Sequence, residues 1–224
     1  MGILSAFLLL LPVVIILVCN LAGNKSLLAL LFYFFITSFY YLILHRIIPL
    51  PLPIQKSIGI ISNYLDVPLM CIVFMLFSTS LKKKKMLQVT LYAFVGYEII
   101  ISLILGFNRT SMIYIIGPGI VLIIVYSIIF FSQYIKLSIE KNKLFGKTVM
   151  ITSILFAYVC HAMIYCFMYL KTTSAIDDVY LIHYINLIIV SIAMSIGLLL
   201  LYKRCRKIKE VLVTRKELAL FFEH

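Results

Sequence analysis

Residues 179–202 read VYLIHYINLIIVSIAMSIGLLLLY and run directly into Lys203-Arg204-Cys205-Arg206-Lys207. As a helix rising about 1.5 Å per residue the stretch spans roughly 35 Å, enough for a hydrocarbon core about 30 Å thick. A basic cluster closing such a run marks the cytoplasmic boundary of a membrane span. Six further apolar runs precede it, at about Gly2–Leu21, Ser26–Ile47, Ser57–Ser80, Met86–Phe107, Met112–Ile135 and Thr148–Leu170. The pattern predicts an all-α membrane protein, a seven-transmembrane helix bundle in the lipid bilayer.

The composition agrees. Apolar residues make up 64% of the 224 and charged residues 12%, whereas soluble chains are about half apolar and a quarter charged. No soluble domain of ordinary size fits beside seven spans. A net charge of +12 could indicate nucleic acid, but here the lysines and arginines sit in short clusters between apolar runs, as topology signals do. The five cysteines follow no metal-binding spacing and read as apolar filler. The first run lacks a basic start and a small-residue cleavage site, and Val18 before Cys19 is wrong for a lipoprotein, so a retained first helix is expected.

The breaks between runs are legible. Leu21-Ala22-Gly23-Asn24-Lys25 turns the chain, Pro49-Leu50-Pro51-Leu52-Pro53 interrupts a helix, and Asn108-Arg109-Thr110 turns it again. Gly117-Pro118-Gly119 predicts a kink inside the fifth helix. The loops after helices 1, 3 and 5 and the tail hold 16 of the basic residues, and the other side holds Arg46, Lys56, Arg109 and Lys171. That asymmetry places the N-terminus outside and the tail inside. Residues 1–202 are expected to form the transmembrane domain and 203–224 a basic amphipathic cytoplasmic tail. In the tail Ile208, Val211, Leu212, Leu218, Leu220, Phe221 and Phe222 alternate with Arg215, Lys216 and Glu217, a pattern for lying on anionic lipid or docking a partner. The richness in Ile, Lys, Phe and Tyr points to a bacterial cytoplasmic membrane.

Charged groups in hydrocarbon cost several kcal/mol and are functional candidates by default. Asp66, Glu98 and His161 fall inside predicted helices, each about nine residues from the outer end and so roughly 14 Å deep. His45 closes helix 2 and His183 opens helix 7. Spacings of three and four put Asn63 with Asp66, Ser38 with Tyr41 and His45, Tyr158 with His161 and Tyr165, and His183 with Asn186, Val190, Ala193 and Gly197 on single helix faces. Two readings compete: an outward-opening pocket of Asp66, Glu98, His161, His183, Asn63, Tyr158 and Asn186 for a ligand or proton, or hydrogen bonds that join helices. A buried carboxyl without a cationic partner tends to hold its proton, which makes Asp66 and Glu98 candidates for proton exchange, with His161 as a partner.

Asn63-Tyr64-Leu65-Asp66, Val95-Gly96-Tyr97-Glu98 and Ser191-Ile192-Ala193, with Gly197 and a leucine run after it, resemble short motifs of helices 3, 4 and 7 of the microbial rhodopsins. The helix count, short loops and size are also similar. The resemblance implies a seven-helix bundle with Asp66 at the counterion position. It also places Ala193 where that family carries its retinal-binding lysine, and no lysine precedes Lys203 in helix 7. A retinal Schiff base therefore cannot form. Asn63 replaces an arginine, and the chain has no tryptophan to sandwich a polyene.

The chain also resembles the seven-helix metal hydrolases of the alkaline ceramidase and adipoQ-receptor type, which hold zinc with three histidines, an aspartate and a serine. If it were one, His45, Asp66, His161 and His183 would be the metal set, with Ser38. The family's Ser-x-x-x-His and His-x-x-x-His spacings are missing, since Ser38 and His45 are seven apart and position 187 is Leu. That argues against zinc. The leading expectation is a non-enzymatic sensor or receptor-like protein without cofactor or nucleic-acid partner. A small proton-coupled transporter and the intramembrane zinc hydrolase are the alternatives.

Overall fold

The computed structural model describes residues 1–78, 80–141, 144–169 and 176–222 and, within them, all side chains except those of 140, 141, 169, 176, 177, 208, 209 and 212–222. The chain is all-α. We number its helices α1 (Gly2–Val18), α2 (Lys25–Leu44), α3 (Leu52–Phe77), α4 (Leu81–Leu105), α5 (Arg109–Lys141), α6 (Phe145–Tyr169) and α7 (Ile176–Phe222). Helices α2 to α7 are each long and apolar enough to cross a membrane, whereas α1 is apolar but, at 17 residues, shorter. The chain is thus a multi-pass helical membrane protein.

Helix α1 loosens at Leu9. The cause is Pro12, which has no N–H to offer the carbonyl of Leu8. Ala6, Leu9, Val13 and Ile16 form its buried stripe, at the three-and-four spacing of one helix face. That stripe packs between α7 and α2, and each later helix packs on its neighbour in sequence, so the chain closes a ring. Helix α4 packs on both neighbours but from the outside. Helix α3 also touches α5 directly, and α4 lies outside that seam with Leu87, Phe94 and Glu98 as its buried residues.

Side chains are sorted inside-out, as lipid demands. On α7, Leu187, Val190, Met194 and Leu198 are buried while Ile185, Ile189, Ile192, Ile196 and Leu199 are exposed. One end of the bundle is closed by Phe74, Phe77, Phe130 and Tyr134, each at most 2% exposed. Phe74 and Phe130 stack there at 5.6 Å between centroids. Tyr134 donates to the Phe77 carbonyl at 2.6 Å and Lys147 to the Leu76 carbonyl at 2.8 Å, so two side chains satisfy the orphan carbonyls at the end of α3.

Several boundaries differ from the sequence expectation. Helix α3 starts five residues early, at Leu52, because Pro53 fits the first turn, where no N–H is needed. Helix α4 begins at Leu81 and takes in the lysine run. Pro118 lies inside α5, which runs unbroken from Arg109 to Lys141. The Tyr114 carbonyl, which Pro118 cannot serve, accepts instead from the Tyr97 hydroxyl of α4 at 2.9 Å. Gly117 and Gly119 leave room for neighbours, since a Cβ would meet the Tyr165 hydroxyl at 2.9 Å and Val67 at 2.5 Å respectively. Helix α7 does not end at Tyr202 but runs on to Phe222, 47 residues in all, about 70 Å. The backbone stays helical through 202/203. The amphipathic pattern expected of Ile208, Leu212 and Arg215 to Phe222 falls on side chains outside the described ones.

Candidate functional site

Away from the aromatic plug, a cavity of about 300 Å3 opens between α2, α3, α5, α6 and α7. Its wall includes Asn63 and Asp66 from α3, His161 from α6 and His183 from α7. A smaller space of about 80 Å3 continues along Tyr33, Thr37, Asn63 and Asp66. Both lie at the end of the bundle opposite Lys82 to Lys85 and Lys147, where α2 and α6 finish and α5 and α7 begin.

The polar groups form a connected line. The Tyr158 hydroxyl donates to Asp66 Oδ1 at 2.6 Å. The Tyr158 and His161 rings lie 5.9 Å apart between centroids, and His161 and His183 5.6 Å apart. His183 Nε2 is hydrogen-bonded to the Tyr41 hydroxyl, and Tyr184 packs against both His183 and His45, at 5.9 and 5.5 Å. The line crosses from α3 through α6 and α7 to α2. Nδ1 of His161 and Nδ1 of His183 are buried without a hydrogen-bond partner, as is Nε2 of His45. Unpartnered buried polar atoms are costly and concentrate at functional sites. Around them stand Tyr40, Tyr165 and Tyr180, which the sequence reading did not place in the wall. A signal existed for Tyr180, four residues from Tyr184 and so on the same face.

Other expected members fall elsewhere. Tyr158 is 1% exposed and reaches the cavity through Asp66. Asn63, although in the wall, donates its amide to the Gly59 carbonyl of its own helix at 2.7 Å. Asn186 does not line the cavity; its Nδ2 points to the Ala157 carbonyl at 3.4 Å and its Oδ1 is buried without a partner. Glu98 does not line it either. It is 6% exposed, on the face of α4 that meets α3 and α5, and its Oε1 has no hydrogen-bond partner. Glu98 and Asp66 make no ion pair among the described residues. Along its own helix Asp66 lies 14 residues from the start of α3, and Glu98 and His161 lie seven and eight residues from the ends of α4 and α6. The early start of α3, with Pro53 in its first turn, accounts for the longer count.

The stripe His183, Asn186, Val190, Ala193 and Gly197 is mainly the seam with α6. Val190 and Ala193 line an apolar fissure with Thr152, Ser153 and Phe156 of α6, and Gly197 crosses Gly146 and Met150. Ser38 likewise serves packing, donating to the Ala6 carbonyl of α1 at 2.9 Å. Among the described residues no three His, Cys, Asp or Glu side chains group where one metal ion would reach them. His45, Asp66, His161 and His183 therefore do not form a ligand set.

His45 lies just beyond the apolar span of α2, with its ring over Gly2. Burial holds its imidazole below the ordinary histidine range, and the nearby chain amino group adds to this.

No protein-family model matches the chain, and neither a characterised protein nor a solved structure matches it.

Proposed function

We propose that the chain is a receptor-like membrane sensor that takes a small ligand into the cavity around Asp66, His161 and His183 and passes its occupancy to the cytoplasm through α7. The observation that carries this reading is the convergence of Asn63, Asp66, His161 and His183, from three helices, on one cavity. In this reading α1 is a seventh span. The N-terminus and the cavity mouth then face outward, and the lysine-rich end faces the cytoplasm of a bacterial cell.

Two features support a sensor. The cavity is blind, because Met70, Cys71, Phe74 and Phe130 below it are at most 2% exposed. Moreover, α7 carries both His183 in the wall and the long stretch beyond the membrane in one unbroken helix. A rigid element reaching both sites is a physical route for coupling. The rhodopsin-like resemblance gains no support here, since no solved structure matches the chain and Ala193 lines the α5–α6–α7 fissure and not the Asp66 cavity.

Cys205 is exposed on α7 next to the basic cluster. An environment-sensitive fluorophore there, in a Cys166→Ser background, should change its spectrum when a ligand fills the cavity. A ligand that binds without moving that signal would refute the sensor. A proton-coupled transporter is the second reading, favoured by the line from Asp66 to Tyr41 and by the buried Glu98. Proteoliposomes that acidify on addition of a substrate would establish it.

A further inference from the structure

The cavity wall is aromatic and acidic at once. Tyr40, Tyr41, Tyr165, Tyr180 and Tyr184 stand round it, and Asp66 is its acidic group. Among the described residues no lysine or arginine lines it, although the chain carries 20 of them. A carboxyl in such a site lacks the counter-charge that ordinarily accompanies buried acids, and tyrosine faces attract cations through their ring quadrupoles. For an anionic ligand the described wall offers the imidazoles of His161 and His183 and the tyrosine hydroxyls but no fixed positive charge, and an ionised Asp66 would repel it. A metal ion would need converging ligands, and among the described residues no such group exists. The volume, about 300 Å3, is at the small end of ligand pockets, roughly 300–1,000 Å3.

We propose that the cavity binds a small organic cation, an ammonium compound whose charge meets Asp66 and whose carbon groups lie against the tyrosines. This deepens the receptor reading and rests on the cavity being a ligand site. Tyr158 is then a positioning residue, since its hydroxyl holds Asp66 Oδ1 at 2.6 Å while the rest of the carboxyl meets the ligand. Tyr184, in contact with His183 and His45, forms the rim.

The test uses the full chain in nanodiscs with tetramethylammonium, choline and phenethylammonium, and with dimethylbutanol as the uncharged carbon isostere of choline. Affinity is read by calorimetry and thermal stabilisation. At least one cation should bind and the isostere should not. Asp66→Asn should weaken the cation by about 30-fold or more, the loss usual for removing one side of a buried charge pair. Tyr184→Leu should weaken it by about 3- to 30-fold while Tyr184→Phe, which keeps the ring, should not. If Asp66→Asn does not fold, the Tyr184 pair decides. Equal binding of the isostere, full affinity in Asp66→Asn or Tyr184→Leu, or no binding of any of the three cations at millimolar concentration overturns the cation site. Tight cation binding with a silent Cys205 reporter would keep the site and overturn the receptor.

Discussion

Helices α6 and α7 hold His161 and His183 together, and two glycines let them approach. A Cβ at Gly197 would stand 2.6 Å from Met150 Cγ, 3.0 Å from the Gly146 carbonyl oxygen and 3.2 Å from the Met150 nitrogen. A Cβ at Gly146 would stand 2.9 Å from the Gly197 carbonyl oxygen and 2.9 Å from the Leu201 nitrogen. The flexible Met150 side chain can move aside, but the backbone atoms cannot, so Gly197→Ala must push the helices apart. Overpacking of this kind costs about 1–3 kcal/mol. Gly96 gives the internal control, because a Cβ there meets nothing within 4 Å. Gly96→Ala removes a flexible residue from the middle of α4 and should be neutral or stabilising by about 0.5–1 kcal/mol. The assay is thermal unfolding in detergent, in a background with Cys19, Cys160, Cys166 and Cys205 changed to Ser, followed by a thiol-reactive dye that reports exposure of Cys71, which is 0% exposed in the folded chain. Gly197→Ala should unfold several degrees lower than wild type and Gly96→Ala no lower. A Gly197→Ala protein as stable as Gly96→Ala would show that α6 and α7 do not cross at these residues.

Two further predictions follow from the same contacts. Lys147→Met leaves the Leu76 carbonyl without its donor and should cost about 1–3 kcal/mol in the same melt, whereas Lys147→Arg should retain most of the stability; equal midpoints for Met and wild type would count against the contact. His45 binds a proton less readily folded than unfolded, so the unfolded chain takes up more protons once pH falls below the ordinary histidine value of about 6.5, and stability should drop from there downward. His45→Gln should flatten that part of the stability–pH curve, and an unchanged slope would assign the acid sensitivity to other groups.

How much of this was readable in advance depends on which physical signal each feature left. The spans were legible because lipid requires about 20 apolar residues in a row, a requirement no packing detail can disguise. Their ends were less so. The sequence reading treated Pro51 and Pro53 as stops, but a proline in a first turn is harmless, and Leu52 begins α3. The Gly-Pro-Gly of α5 read as a kink because the proline removes a donor. What the sequence could not show was that Tyr97, on another helix, would supply it.

The site divides along the same line. Asn63, Asp66, His161 and His183 stood out because each is polar at membrane depth, and that expense is visible one residue at a time. Which way a helix turns is not visible in this manner. In a soluble helix the polar face marks the solvent side. In α7 both faces are apolar, so His183, Asn186, Val190, Ala193 and Gly197 could be grouped by spacing but not assigned to a cavity or a neighbour. The contacts assign all but His183 to the seam with α6. Glu98 makes the same point from the other side, since depth alone placed it with Asp66. Helix α4 lies outside the α3–α5 seam, so its carboxyl is buried within that packing and not in the cavity. A proton on Glu98 and a ligand on Asp66 are therefore separable perturbations: Glu98→Gln should leave cation affinity nearly intact where Asp66→Asn lowers it by about 30-fold or more, and matching losses would mean that the two carboxyls act as one site.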